Sequence, residues 1–70
     1  MQSLSQVKTG EVRSIKWMFG DPEVLCFMRS RDFTEGSEVL VLNQMKSGTI
    51  IRNRTTRLAL SAEIAKRITV

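Results

Sequence analysis

Residues 38–45, Glu38-Val39-Leu40-Val41-Leu42-Asn43-Gln44-Met45, are the run that most restricts what this chain can become. Val39 and Val41 face one way along a strand, and Leu40 and Leu42 face the other. A strand apolar on both sides must be covered on both sides. The interior of a closed sheet supplies one cover, and a helix or a partner supplies the other. Lys46-Ser47-Gly48 then turns the chain, and residues 49–53 read as the return strand of a hairpin. The polar run Arg52-Asn53-Arg54-Thr55-Thr56-Arg57 holds a second turn near 53–55, and residues 56–60 form the next strand.

The closing stretch Leu58 to Val70 reads as strand, one short helical turn, then strand. Leu58 and Leu60 lie two apart, on one side of a strand. Ser61 suits a helix N-cap, because its hydroxyl accepts from an amide two or three residues on. Ala62 and Glu63 favour helix, with the negative charge of Glu63 placed in the first turn. Ile64, Ala65 and Ile68 continue the apolar stripe before Thr69 and Val70 resume an extended run. A final strand has value only if it pairs with something earlier, so Val70 and its neighbours are expected to latch a small barrel.

The first half supplies the remaining pieces. Leu4 and Val7 belong to an opening segment of about one helical turn starting at Ser3 or Ser5, and they cover one end of the barrel. Residues 11–17 alternate as a strand, with Arg13, Ile15 and Trp17 on one side and Ile15 and Trp17 turned inward. Met18-Phe19 extends it until Gly20-Asp21-Pro22 breaks it. Asp21 stands at a cap position and Pro22 at the first helical residue. Val24, Leu25 and Met28 recur at helical spacing with Phe27 beside them, so 22–31 is expected as an amphipathic helix. Asp32 ends it in the left-handed region. Phe33 opens a loop that turns at Glu35-Gly36-Ser37.

Five short strands in a 70-residue single domain cannot make a sandwich of two covered sheets. The expected fold is mainly β: a small, partly open five-stranded barrel of the SH3-like kind, with one amphipathic helix and a one-turn helix before the last strand. No apolar run reaches the roughly 18 residues of a membrane span, and the first residues lack signal-peptide character. A protein inside the cell, without membrane insertion, is therefore expected. A single cysteine, Cys26, rules out an internal disulfide and suits a reducing compartment.

In order and spacing the chain resembles the FeoA family, small cytoplasmic proteins of bacterial ferrous iron uptake. Leu4, Val7 and Gly10 fall on that family's opening pattern, and Ile15 follows at the matching distance. Phe33 and Gly36 match the loop before the central strand, and Val39-Leu40-Val41-Leu42 matches the strand itself. Leu58-Ala59-Leu60 with Glu63, Ala65, Ile68 and Val70 is close to the family's closing signature. Departures cluster at Arg31, Asp32 and Glu35, where an apolar residue, Gly and Pro are usual. The resemblance implies an SH3-like barrel with a non-enzymatic accessory role. It also implies a partner, FeoB, a membrane iron transporter with a cytosolic GTP-binding domain.

Catalytic chemistry finds few materials here. The chain has no His and no Tyr, and its four glycines are far apart, so neither a nucleophile–base set nor a phosphate-cradling loop can be assembled. An enzyme is not expected, and no cofactor is. Asp21 with Glu23, or Glu35 with Glu38, could pair carboxylates, but ferrous iron sites usually add imidazole. Capping and solvation explain these acids better than a metal site does. Cys26, between Leu25 and Phe27, is expected to be a buried, inert thiol.

Two sets of residues remain as candidates for binding a partner. Trp17, Met18 and Phe19 form an apolar triplet at a strand end that alternation forbids from facing wholly inward, so it belongs either to core and helix packing or to a contact surface. Arg52, Arg54 and Arg57 form a basic cluster, either a solvated strand edge that resists unwanted pairing or a dock for an acidic protein surface. A net charge of +4 admits nucleic acid as a partner, but no aromatic side chains are interleaved with these arginines to stack bases. Nucleic acid is not the expected partner. A nucleic-acid-binding barrel, or a regulatory barrel of the kind appended to metal-dependent repressors, stands as the alternative function. Self-association is left open by the sequence.

Overall fold

The computed structural model describes residues 1–70. A 3-10 turn at Leu4–Gln6 leads to β1 (Val12–Ser14) and β2 (Trp17–Met18), then helix α1 (Pro22–Ser30). Strands β3 (Glu38–Met45), β4 (Gly48–Arg52) and β5 (Arg57–Ser61) follow, then α2 (Ala62–Lys66) and β6 (Ile68–Thr69). One sheet has the order β1-β3-β4-β5; the other pairs β2 with β6. All pairings are antiparallel. The SH3-like barrel expected from the sequence is present, with six strands where five were expected. The extra strand comes from a break in the first one.

That break has a definite cause. The Ile15 amide donates to the Ser37 carbonyl at 2.8 Å, on the β3 side, while the next amide, Lys16, donates to Thr69 at 2.8 Å, on the β6 side. Consecutive amides thus bond to different sheets, and the side-chain alternation restarts at the corner. Ile15 stays inward, but Trp17 turns outward and Met18 takes the inward position. The inward orientation expected for Trp17 is corrected by this corner.

The latch closes as expected. Met18 lies opposite Ile68 and Trp17 opposite Thr69. Gln2 and Val70 exchange amide–carbonyl bonds of 3.1 and 2.9 Å, which ties the two ends of the chain together. Ser61 caps α2, its hydroxyl accepting from the Ile64 amide at 3.3 Å. Thirteen apolar side chains form one core, among them Leu4, Val7, Ile15, Phe33, Val39, Val41, Ile51 and Ile68. Gln44 fastens the opening turn to it, donating to the Leu4 and Val7 carbonyls at 3.0 and 2.6 Å.

In β3, Val39 and Val41 face the core, and Leu40 and Leu42 are half-buried. Leu42 is the extra residue of a bulge, since Val41 pairs with Ile51 and Asn43 with Ile50. The bulge resets the alternation, so that Gln44 can reach inward towards the opening turn.

The end of α1 is held by paired bonds. The Phe33 amide donates to the Met28 carbonyl at 2.9 Å and the Asp32 amide to Arg29 at 3.0 Å, the Schellman pattern. Met28 and Phe33, both fully buried, pack as the apolar contact of that motif. Asp32 occupies the left-handed position at φ 66°, which costs a residue with a Cβ more than it costs glycine. Asp32→Gly is therefore expected to raise stability by about 0.5–1 kcal/mol, since relief of strain exceeds the added freedom of the unfolded chain. Urea denaturation measures it, and a lower midpoint would contradict the assignment.

Candidate partner-binding surfaces

The triplet at residues 17–19 divides between core and solvent. Met18 is 7 % exposed and presents nothing to a partner, whereas Trp17 and Phe19 are 61 % and 53 % exposed. The Phe19 amide donates to the Arg67 carbonyl at 3.2 Å, so the β2–β6 pairing continues past β2 and holds the segment extended. Trp17 and Phe19, two apart on that segment, flank Met18 and carry the apolar surface that the core does not use. Phe19 also borders a small apolar crevice with Val24, Leu25, Met28, Ile64 and Ile68, where α1, α2 and β6 meet.

Helix α1 adds a third exposed aromatic. Phe27 is 45 % exposed, with the Arg31 guanidinium 5.0 Å from its ring centroid. Cys26 is exposed too, which corrects the expectation of a buried thiol. The reason was available in the helical period. Val24, Leu25 and Met28 turn one face to the barrel, and a residue two positions before Met28 lies about 200° round from it. Apolar neighbours in sequence had suggested burial where the angular position did not.

Three of the acids make structural contacts. Asp21 caps α1 by accepting from the Glu23 amide at 2.9 Å. Glu35 lies 3.6 Å from Arg29 and Glu11 lies 3.2 Å from Arg13, both near the surface, where such pairs contribute little. No group of three His, Cys, Asp or Glu side chains converges on a point.

The arginines of the basic cluster gather at the β4–β5 turn. Arg52 lies directly across from Arg57. Asn53 builds the turn, its carboxamide oxygen accepting from the Thr55 and Thr56 amides at 2.9 Å each. Its nitrogen donates to the Arg31 carbonyl at 2.9 Å and joins the turn to the end of α1. The sequence signalled a turn here, but not that tie, which spans 22 residues. Arg52 and Arg54 border an open groove of about 810 Å³ with Val12, Asp32, Glu38 and Leu40. Arg57 does not line it. The structure thus places the aromatic pair on the β2–β6 ribbon and the arginines at the β4–β5 turn of the larger sheet.

Comparison with known proteins bears on the family and the fold. A family model described as FeoA domain matches residues 1–70. A crystal structure of an iron uptake regulatory protein, FeoA, is similar with a TM-score of 0.81 at 24 % identity, covering 94 % of this chain and 89 % of that one. The FeoA protein of Chlorobium tepidum gives a TM-score of 0.89 at 18 % identity, over 97 % of this chain and 67 % of that one. A manganese-dependent transcriptional repressor gives 0.85 at 17 % identity; 96 % of this chain is covered, but only 38 % of the repressor. Sequence comparison with curated proteins finds no match. At such identities the structural likenesses speak for the fold alone, while the family model covers every residue. The chain belongs to the FeoA domain family.

Proposed function

We propose that the chain is a cytoplasmic accessory protein of ferrous iron uptake that binds the cytosolic part of a FeoB-type GTP-binding transporter and modulates it. The observation that carries this reading is the exposed pair Trp17 and Phe19, held on the β2–β6 ribbon in a chain matched over its whole length by the FeoA domain. Large aromatic residues on a small rigid surface are the usual anchors of protein–protein contacts. Asp21 caps a helix, Glu11 and Glu35 pair with arginine, no three acids converge, and no His is present, so the residues favour a binding role over a catalytic one.

Co-purification of the chain with the transporter's cytosolic domain tests the reading, with GTP or GDP present. Binding at tens of micromolar or tighter is expected with at least one nucleotide, and none with either would overturn it. Trp17→Ala is expected to weaken that binding by about thirtyfold, the scale of an interface anchor of ~2 kcal/mol. The same substitution should change folding stability by less than about 0.5 kcal/mol, because Trp17 stands outside the core. Calorimetry and urea denaturation read the two effects separately.

The likeness to the manganese-dependent repressor favours a second reading, a regulatory barrel acting on another protein's DNA-binding or metal-binding domain. Binding to such a domain, with the transporter's domain ignored, would select it.

A further inference from the structure

The larger sheet ends on β5, and the hydrogen-bond register says which of its backbone groups are free. The β4–β5 ladder is bounded by two bonds, Asn53 amide to Thr56 carbonyl and Ala62 amide to Ser47 carbonyl, both 3.0 Å. Both lie in register with the paired positions between them, Arg52 with Arg57 through Gly48 with Ser61. Bonded and non-bonded pairs alternate in an antiparallel ladder. Leu58 and Leu60 therefore bond inward to Ile51 and Thr49, while Arg57, Ala59 and Ser61 direct their amides away from β4. Apart from a 3.4 Å contact from the Thr56 hydroxyl to the Arg57 carbonyl, nothing in the chain outside β4 and α2 bonds to the backbone of β5.

The other end of the sheet is better protected. Strand β1 is three residues long, its Val12 carbonyl is taken by the Arg13 guanidinium at 2.9 Å, and the chain leaves the sheet at Ile15. Strand β5 is five residues long, regular in register, without proline, and exposes Ala59 and Ser61. Short edges, bulges, prolines and charges are the usual defences against strand addition. Only Arg57 defends this one.

We propose that the outer edge of β5 takes an extended acidic segment of a partner protein, which adds a strand to the sheet at Arg57, Ala59 and Ser61. This deepens the partner-binding reading and rests on it. The charge identifies the occupant. Arg52 and Arg57 face each other across a non-bonded pair, where Cα atoms stand about 4.5 Å apart and like charges repel. Arg54 lies in the adjoining turn, and none of the three has a carboxylate within ion-pair distance in the chain. Carboxylates on an incoming strand relieve that repulsion while its backbone satisfies the free amides. A second copy of this chain would bring the same arginines and another net charge of +4 to the edge, which disfavours self-pairing.

Amide hydrogen exchange of the full chain, followed by NMR, tests the proposal without the transporter. The probe is a synthetic peptide of alternating valine and threonine with two glutamates at one end, at millimolar concentration. In the free chain the Leu58 and Leu60 amides exchange slowly and the Ala59 amide quickly. The acidic peptide slows Ala59 by about tenfold; a lysine version of the peptide does not, and Arg57→Glu abolishes the effect. An Ala59 amide already protected in a dimer, or an acidic peptide that leaves Ala59 unprotected, would overturn the proposal. So would an RNA oligonucleotide that binds the arginines while the peptide does not. Failure here leaves transporter binding through Trp17 and Phe19 intact, and failure of transporter binding leaves the peptide result standing.

Discussion

Phe33→Ala is expected to destabilise the chain by about 3–5 kcal/mol, the cost of emptying a fully packed aromatic site. Phe33 has no exposed surface, and its amide and ring together close the end of α1 onto Met28. Small domains have little stability in reserve, so the thermal midpoint should fall by on the order of 20 °C. Phe27→Ala serves as the contrast. Its ring is half-exposed beneath Arg31, and its loss should cost less than about 1 kcal/mol. Calorimetric melting of both variants checks the pair; equal losses would contradict the assignment of Phe33 as the core aromatic and Phe27 as a surface one.

The second large effect is expected at Gly48. A Cβ there would run into the Leu60 carbonyl oxygen, with the Leu60 carbonyl carbon and Ser61 Cα close behind at 3.1 and 3.3 Å. These are backbone atoms of the neighbouring strand and cannot rotate away. Gly48→Ala should therefore cost about 3 kcal/mol. It should also open the ladder locally, so that the Leu60 amide loses its exchange protection before Leu58 does. Gly10 and Gly36 have open space around the missing Cβ and differ only in carrying positive φ, 91° and 94°. Alanine at those positions should cost about 1–2 kcal/mol, from backbone strain alone. A Gly48 variant no worse than these would contradict the close approach.

Much of this arrangement was legible in the residues. Glu38–Met45 read as a strand and is one, Asp21 and Ser61 read as caps and accept the expected amides, and Asp32 read as a left-handed helix end. These are local decisions made by side chains within a few positions of each other. What the sequence hid were decisions made by distant contacts. Residues 11–19 looked like one strand because Ile15 and Trp17 lie two apart and no Gly or Pro interrupts the run before Gly20, but Ser37 and Thr69 pull consecutive amides to different sheets and reverse Trp17. The bulge at Leu42 is similarly set by pairing with β4. Among the candidate contact residues, the sequence offered Trp17, Met18 and Phe19 as a unit. Only the corner after Ile15 assigns Met18 to the core and the two aromatics to solvent. The free amides of β5 could not be read from composition, because they follow from which pairs in the ladder are bonded.

Trp17 is the only tryptophan in the chain, so it can report on docking directly. Labelled as 5-fluorotryptophan, it gives one fluorine resonance at a side chain that is 61 % exposed in the free protein. Addition of the transporter's cytosolic domain with GTP or GDP is predicted to shift and broaden that resonance, and to abolish the line shift seen on changing the solvent from H2O to D2O, as the ring loses contact with water. A resonance that keeps its position, width and solvent shift at tens of micromolar domain, with either nucleotide, would contradict the account.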